Sequence, residues 1–225
     1  NLDYYLELLY NNVTANGGHV HFPADAKEAN EIIAELARSH GVKIATKSKS
    51  MVSEETGLNH SLEAIGVEPV ETDLGEYIIQ LSGETPFHIV APAIHKSKED
   101  VSELFAEKLH GPKVVEIEEM AEAAREALRE KLLQADMGIS GANFLVAETG
   151  TLVIITNEGN GRFCTSAPRI HVALTGMEKL IPSLEDLSTF LRLLPRAATG
   201  QRLTSYVSMV SGPRSPDEED GPEEF

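Results

Sequence analysis

Apolar positions before Asp136 alternate between helical spacing and short unbroken runs. Leu2, Leu6 and Leu9 repeat at three or four residues, which is the spacing of a helix that buries one face. Residues 42–46 form a short apolar run bounded by polar residues, which indicates a buried strand. The same signals predict further strands at residues 20–22, 67–72, 87–91 and 114–117, and further helices at residues 59–65, 74–81 and 118–134.

Three helices carry start signals in the sequence. An Asp or Ser that is followed three positions later by an Asp or Glu is the pattern of a capped helix N-terminus. Gly41 and Gly66 are predicted to end the helices that precede them. The capping pairs are Asp25 with Glu28, Ser97 with Asp100, and Ser183 with Asp186.

Helices and strands that alternate in this way are typical of an α/β protein whose largely parallel sheet is covered on both faces. After Asp136 the pattern changes, because residues 143–147, 151–156 and 169–174 are three apolar runs in succession. They predict an antiparallel element, and residues 203–210 are a candidate edge strand. The predicted fold class is therefore α/β, with a mostly parallel sheet and an antiparallel element after residue 140.

The charge of the chain is acidic and unevenly placed. Its 225 residues contain 36 Asp and Glu against 19 Lys and Arg, which gives a formal net charge of −17. The length suits one large domain, or one domain with a small appendage. Acids concentrated near the end predict a domain at residues 1–212 and an acidic tail or linker at residues 213–225. An acidic surface repels phosphate backbones and anionic lipid, so neither nucleic acid nor a membrane surface is predicted as a partner.

Cys164 is the one cysteine of the chain. A single thiol cannot form an intramolecular disulfide, hold an iron–sulfur cluster alone or make a zinc site of the clustered-cysteine type. The eight histidines are scattered, so no metal site is predicted. A reducing cytoplasm fits this composition, and no apolar run approaches the ~18–20 residues of a membrane helix. The sequence therefore predicts a cytoplasmic protein without membrane insertion.

Polar residues follow the predicted strand at residues 42–46. Ligands of open α/β sheets bind outside the carboxyl ends of the strands, where hydroxyls and lysines suit a phosphate or a carboxylate. The alternative is a solvated turn whose lysines only precede a helix. Glu54 and Glu55 farther on are interpreted as surface charge rather than as an acid–base pair. The candidate ligand-binding residues here are Lys47, Ser48, Lys49 and Ser50.

A carboxylate separates the two apolar runs of the predicted hairpin. Glu148 must lie exposed at a turn or be held by donors, because an isolated buried carboxylate is costly. If it were buried in a cleft, Glu148 would be a candidate nucleophile or general base. The alternative is a tight turn in which Gly150 supplies a positive φ. Thr149, Gly150 and Thr151 are the candidate ligand-binding residues beside Glu148.

A glycine-containing loop follows the second run. Its glycines allow close backbone approach to a ligand, and Arg162 offers a fixed positive fork to an anion. The glycine spacing matches neither a dinucleotide fingerprint nor a Walker loop, and by itself the segment is interpreted as a flexible loop. His171 beyond it is interpreted as a core or edge histidine. The candidate ligand-binding residues are Asn157, Glu158, Gly159, Asn160, Gly161 and Arg162.

The run GANFLVAETGTLVIITNEGNGR at residues 141–162, with PRIHVALTGMEKLIPSLEDLSTFLRLLPRAATGQ at residues 168–201, resembles the LUD (lactate-utilization) domain family. The resemblance covers essentially the whole chain. It implies a fold of the NagB/RpiA/CoA-transferase group, an α/β three-layer sandwich, which agrees with the order of strands and helices. Relatives with this fold bind ligands at the carboxyl ends of the parallel strands, and some use a glutamate as nucleophile.

The resemblance also implies a setting for the domain. Members of the family resemble subunits of a three-component system that oxidises L-lactate to pyruvate. In the iron–sulfur members, a ferredoxin-like region with two 4Fe–4S clusters follows the LUD domain. This chain has Cys164 alone, so no cofactor is expected in it, and residues 213–225 are expected to lead toward that absent region.

Three hypotheses follow for the function. In the first, Lys47, Lys49 and Arg162 hold a small anion such as lactate or a phosphorylated ligand, and Glu148 acts as base or orienting group. In the second, the domain is an assembly scaffold that docks to the other two subunits through the acidic helix at residues 118–130. In the third, the domain has an independent activity like those of its sugar-phosphate or CoA-transfer relatives.

Overall fold

The computed structural model describes residues 1–85, 87 and 91–225. The helices of this part of the chain are α1 (Leu2–Ala15), α2 (Ala26–Ser39), α3 (Met51–Glu55), α4 (Leu58–Glu63), α5 (Leu74–Ser82), α6 (Lys98–Lys108), α7 (Ile117–Gln134), α8 (Asn160–Ser166) and α9 (Leu184–Thr199). The strands are β1 (Ile44–Lys47), β2 (Glu68–Glu71), β3 (Met137–Ser140), β4 (Phe144–Val146), β5 (Thr151–Thr156), β6 (Ile170–Ala173), β7 (Leu180–Ile181) and β8 (Tyr206–Val210).

The first sheet is parallel and has the strand order β2-β1-β3-β6. Its strands are four residues long and largely buried, as expected for a sheet that is covered on both faces. On one face, α2 and α4 pack through Ile33, Ala37, Leu58 and Leu62. On the other, α5, α6 and α7 pack around Val70. The predicted α/β class and its helix–sheet–helix layering are confirmed.

The second sheet has the order β7-β4-β5-β8. Strands β4 and β5 form the predicted antiparallel hairpin, β8 pairs antiparallel with β5, and β7 pairs parallel with β4. Helix α9 packs on one face of this sheet through Leu187, which contacts the cluster of Val146, Val153 and Ile181. The antiparallel element after residue 140 and the edge strand near residues 203–210 are therefore confirmed.

The predicted helix starts agree with the structure. Ser97 and Asp100 form a complete capping box at α6. The Ser183 hydroxyl accepts a hydrogen bond from the Asp186 amide at α9. At α2, Asp25 caps the helix as predicted, but the Glu28 carboxylate accepts from the amide of Ala24 rather than that of Asp25.

Several predicted elements are wrong in position or type. Residues 20–22 and 114–116 form no strand, and α7 begins at Ile117. The predicted strand at residues 169–174 exists as β6, but it pairs parallel with β3 in the first sheet rather than joining the antiparallel element. The segment predicted as a flexible loop contains helix α8, and β3 was not predicted. Residues 88–90 of the strand predicted at residues 87–91 lie outside the described residues.

The last residues of the chain contact the first sheet. The amide of Glu223 donates to the carbonyl of Arg169 at 2.7 Å, and the amide of His171 donates to the carbonyl of Glu224 at 2.9 Å. Phe225 accepts at its carbonyl from the amide of His19 and lies among partly buried residues beside α1. The division of the chain into a domain at residues 1–212 and a linker at residues 213–225 stays a prediction.

Candidate functional site

A buried lysine lies at the carboxyl end of β1. The side chain of Lys47 is 1% exposed, and its Nζ donates to Glu71 Oε1 at 2.6 Å and to Asn59 Oδ1 at 2.7 Å. Asn59 Nδ2 in turn donates to Glu71 Oε1 at 3.0 Å. A buried ammonium is tolerated when it is paired and hydrogen-bonded in this way. We call Lys47, Asn59 and Glu71 the Lys47 triad.

The parallel pairing of β1 with β2 forms the triad. Lys47 and Glu71 are register partners at the last position of their strands, so their side chains point to the same face of the sheet. Asn59 reaches them from α4, which packs on that face. The hydroxyl of Thr72, the residue after β2, donates to the Lys47 carbonyl at 2.7 Å. The strand ends are thus fixed by side chains as well as by the backbone.

Glu54 of α3 is electrostatically coupled to the triad. Its pKa is raised from 4.5 to about 7, first by burial and then by the negative charge of Glu71, while Lys47 and Lys49 oppose the rise. A carboxyl group with such a pKa holds a proton during part of the time near neutral pH, and perturbed carboxyl groups of this kind are frequent at functional sites. The interpretation of Glu54 as ordinary surface charge is therefore wrong.

The start of α8 meets the ends of β1 and β2. Asn160 Nδ2 donates to Thr72 Oγ1 at 3.3 Å. Burial raises the pKa of Glu158, the nearby charge of Asp73 raises it further, and Lys49 lowers it. Residues 47–50 therefore lie at one edge of the first sheet together with Glu158 and Asn160 of the glycine-containing segment. We call this region the strand-end site.

Two further predicted residues of the strand-end site have defined positions. Ser50 caps α3 by accepting from the amide of Ser53. Ser48 is 3% exposed, and its hydroxyl has no hydrogen-bond partner among the described residues. Because a buried hydroxyl without a partner costs free energy, the Ser48 hydroxyl is a candidate contact for a ligand oxygen. Lys49 is exposed at the same edge.

The second predicted cluster lies elsewhere, at the turn between β4 and β5. The Glu148 carboxylate is exposed and accepts from the amide of Leu184 at the start of α9, at 3.0 Å. Gly150 has a φ of 67°, and a Cβ there would approach the Val13 amide nitrogen to 2.6 Å. Thr149 Oγ1 donates to Thr151 Oγ1. The catalytic role of Glu148 stays a prediction, and its contacts favour the alternative of a turn residue.

Two residues of the third cluster contact protein groups rather than the strand-end site. Arg162 is exposed and forms an ion pair with Asp220. Asn157 donates to Gln201 Oε1 at 3.0 Å and accepts from the amide of Ser205 at 3.2 Å. The positive charges predicted for an anion are thus largely offset, since Lys47 is paired with Glu71 and Arg162 with Asp220.

The structure gives no support for a cluster or metal site in this part of the chain. Cys164 is buried in α8, and burial raises the pKa of its thiol to about 11, which keeps it protonated and a poor ligand. No group of three or more His, Cys, Asp and Glu suited to a metal occurs among the described residues. An iron–sulfur cluster therefore does not fit the residues of this chain.

Asn59, Glu71 and Thr72 were not predicted as site residues. The sequence contained one usable signal: Glu71 and Thr72 end a predicted strand, as Thr46 does, and Lys47 directly follows Thr46. In a parallel sheet such ends meet at one edge. No local signal points to Asn59, because its position depends on the packing of α4.

The protein is an α/β domain whose parallel strands end at a cluster of polar side chains. One carboxyl group of this cluster, that of Glu54, has a pKa raised to about 7. The family model described as the LUD domain matches residues 6–225, and the chain belongs to this family. The resemblance found in the sequence is confirmed.

Relatives of the chain share one name. The chain is 50% identical to lactate utilization protein B of Macrococcus caseolyticus and 48% identical to those of Bacillus licheniformis and Anoxybacillus flavithermus. Each match covers all of this chain and 47 to 48% of the relative, so the chain spans about half the length of these proteins. No solved structure matches the chain significantly. Among the described residues, no helix is long and apolar enough to cross a bilayer.

Proposed function

We propose that the chain acts in lactate utilization as the LUD domain of a longer iron–sulfur protein. The observation that carries this proposal is the identity of about half of all residues to proteins named lactate utilization protein B over the whole chain. The parent would carry its two 4Fe–4S clusters outside this chain and act in the cytoplasm with two partner subunits in oxidising L-lactate to pyruvate. This chain would contribute binding and docking, and the electron transfer would occur elsewhere.

We place a small anionic ligand at the strand-end site. The donors available to a carboxylate or phosphate oxygen are the Ser48 hydroxyl, the exposed Lys49 ammonium and the protonated form of Glu54. Glu71 would act through its negative charge, which raises the pKa of Glu54, and Lys47 would fix the position of the Glu71 carboxylate. Glu54 could then exchange a proton with a hydroxy acid near neutral pH.

A second candidate function is that of an assembly scaffold without an active site. The pairing of Lys47 with Glu71 and of Arg162 with Asp220 favours it, because Lys49 is then the main uncompensated cation of the site. In this case the acidic face of α7, at residues 118–130, would dock to a partner subunit. The third hypothesis, an independent transferase-like activity, has no specific observation in its favour.

The two candidates separate in a complementation experiment with the full-length protein. The double variant Lys47→Met/Glu71→Gln removes both charges of the triad and leaves no unpaired buried ion. Its matched control is Lys131→Met/Glu68→Gln, which removes an exposed ion pair of 2.7 Å between α7 and β2. Growth on L-lactate and co-purification of partner subunits are measured for both.

If the strand-end site binds ligand, the triad variant abolishes growth on lactate while partners still co-purify, and the control grows normally. Normal growth with a folded triad variant would reject the ligand site and leave the scaffold. Charge reversal along residues 118–130 then tests the scaffold, because it should abolish co-purification.

A further inference from the structure

Several arginines of this acidic protein lie in one segment of the sequence that contains no acidic residue. Residues 187–216 contain four arginines and no Asp or Glu, in a chain whose formal net charge is −17. Arg214 pairs with Glu223. The other three arginines are exposed and form no ion pair among the described residues: Arg192, Arg196 and Arg202. A local field of the opposite sign to the rest of the molecule attracts acidic partners at this surface.

The same segment contains the edge strand of the second sheet. β8 pairs with β5 on one side and ends the sheet on the other, so half of its backbone groups have no strand partner in the described part of the chain. Edge strands are usually protected by charged side chains, proline or a bulge. β8 has the sequence YVSMV, which contains neither charge nor proline.

The apolar side chains of β8 continue the face of the second sheet on which α9 packs, but they are themselves exposed. Val207 is opposite Ile155 and Met209 is opposite Val153, so these two side chains lie on the face that α9 covers. Val153 is fully buried, whereas Val207 is 41% and Met209 50% exposed. Leu203, just before the strand, is 81% exposed. α9 therefore leaves an uncovered apolar strip at the sheet edge, and the exposed Arg202 directly precedes Leu203 in the chain.

We propose that this surface, formed by β8, Leu203 and Arg202, binds an extended acidic segment of another protein as an added strand, with the arginines of α9 adding to the local positive charge. We call it the β8 face. The free backbone groups of β8 pair with the segment, its apolar side chains cover Val207 and Met209, and its carboxylates meet the arginines. This is the mode of recognition in which backbone hydrogen bonds supply affinity and alternate side chains supply specificity.

The charges disfavour other occupants of the β8 face. A second copy paired through a twofold axis would present the same basic segment, residues 187–216, which contains no Asp or Glu to meet the arginines. A nucleic acid could meet the arginines, but it would have no backbone amides to pair with β8, and the net charge of the chain would repel it. An acidic peptide strand satisfies the backbone, the apolar strip and the charge together.

The test uses a defined probe and the full-length protein. The probe is a fluorescent peptide of about ten residues, the upper length of an ordinary strand, in which glutamate alternates with valine and threonine. Its controls are the same peptide with lysine for glutamate and the same peptide with N-methylated backbone amides. Binding is measured by fluorescence anisotropy at low and high salt.

The protein variants are Val207→Glu, Arg202→Ala and the control Ile117→Glu. Ile117 is 63% exposed at the start of α7, so it offers an equally accessible apolar residue on another element. We expect Val207→Glu to weaken binding of the acidic probe at least about tenfold. Arg202→Ala should weaken it less and reduce the salt dependence, and Ile117→Glu should bind as the wild type. Arg202→Ala keeps the test valid if Val207→Glu does not fold.

Several results would overturn the proposal. The lysine or N-methylated peptide could bind as well as the acidic one, or Ile117→Glu could lose binding equally. The full-length protein could form a dimer that Val207→Glu dissolves, in which case a second copy occupies the edge. The β8 amides that do not pair with β5 could be protected from hydrogen exchange in the free full-length protein, with no probe bound, in which case the rest of its own chain covers them.

Discussion

The imidazole ring of His171 stacks on the phenyl ring of Phe225, with ring centroids 5.2 Å apart and planes inclined by 23°. The histidine is buried in β6, and its Nε2 shares a hydrogen bond of 2.8 Å with the hydroxyl of Ser140. Phe225 thus covers a polar ring that belongs to the sheet. The interpretation of His171 as a core histidine agrees with this placement.

Phe225→Ala should destabilise the protein and expose His171. Removing a packed phenyl ring costs about 3 kcal/mol when the site is well buried, and somewhat less here because Phe225 is partly exposed. Water would then reach the imidazole, so the pKa of His171 should rise toward its ordinary value. Denaturant unfolding gives the first quantity and an NMR titration the second. An unchanged His171 pKa would mean that Phe225 does not control its burial.

His171 should make the protein sensitive to acid. Burial lowers its pKa from 6.5 to about 4. Between these pH values the unfolded chain binds a proton that the folded chain does not, so the free energy of unfolding falls as the pH is lowered through this window. His171→Leu should flatten the decline, and His60→Gln, at a side chain that is 92% exposed, should leave it unchanged. Urea unfolding at a series of pH values gives the free energy of unfolding of the wild type and both variants. If this free energy fell equally with pH in all three proteins, His171 would not be the cause of the acid sensitivity.

Glu54 should make the stability of the protein depend on pH in the direction opposite to that of His171. Its pKa of about 7 lies above the ordinary 4.5, so the folded state holds a proton that the unfolded state has lost, and stability falls as the pH rises through that window. Carboxyl ¹³C shifts should titrate near pH 7 in the wild type. Lys49→Met removes a charge that lowers this pKa, so it should raise the midpoint, and Glu71→Gln should lower it. If the two variants moved the titration midpoint of Glu54 in the reverse directions, Glu54 would not be coupled to the charges of Lys49 and Glu71.

Gly138 of β3 should tolerate no side chain. A Cβ at this position would lie 1.7 Å from the carbonyl oxygen of Cys164, so α8 would have to move away from the sheet. Gly138→Ala should therefore destabilise the protein by about 3 kcal/mol or prevent folding. Gly111→Ala is the control, because a Cβ there meets nothing within 4 Å, and it should change stability by less than about 0.5 kcal/mol. Thermal unfolding compares the two, and equal stability would show that α8 adjusts easily.

Lys47 should matter far more to stability than an exposed lysine. Lys47→Met leaves Glu71 buried without its cation and should cost about 3–5 kcal/mol. Lys131→Met breaks an exposed ion pair and should cost less than about 1 kcal/mol. Chemical denaturation of both variants measures the difference. A cost at Lys47 as small as that at Lys131 would contradict the prediction.

Elements with local signals were predicted from the sequence, and elements that depend on distant partners were not. The capping residues Ser97 and Ser183 act on amides three positions away, so the sequence alone locates them. β3 is four residues long, contains Gly138 and follows directly on a long helix; its pairing with β1 and β6 is what makes it a strand. β6 was assigned to the wrong sheet because it follows the hairpin in sequence, while its partner β3 precedes the hairpin.

The candidate site was predicted in outline. The rule that ligands bind at the carboxyl ends of parallel strands selected residues 47–50, which lie at such a strand end next to the start of α8, and their role in binding stays a prediction. The burial of Lys47 could not be predicted, because its partners Asn59 and Glu71 lie 12 and 24 residues along the chain. A lysine that follows an apolar strand looks the same in the sequence whether solvent or a carboxylate surrounds its ammonium.

Because Cys164 packs against Gly138, labelling of its thiol reports on the separation of α8 from the first sheet. Cys164 is the only thiol among 225 residues and is fully buried in α8 against β3. A thiol-specific reagent can reach it only when α8 separates from the sheet, because the protonated, enclosed sulfur does not react. The labelling rate of the unmodified protein therefore measures how often this layer opens, and hydroxy acids or phosphates bound at the neighbouring strand ends would slow it.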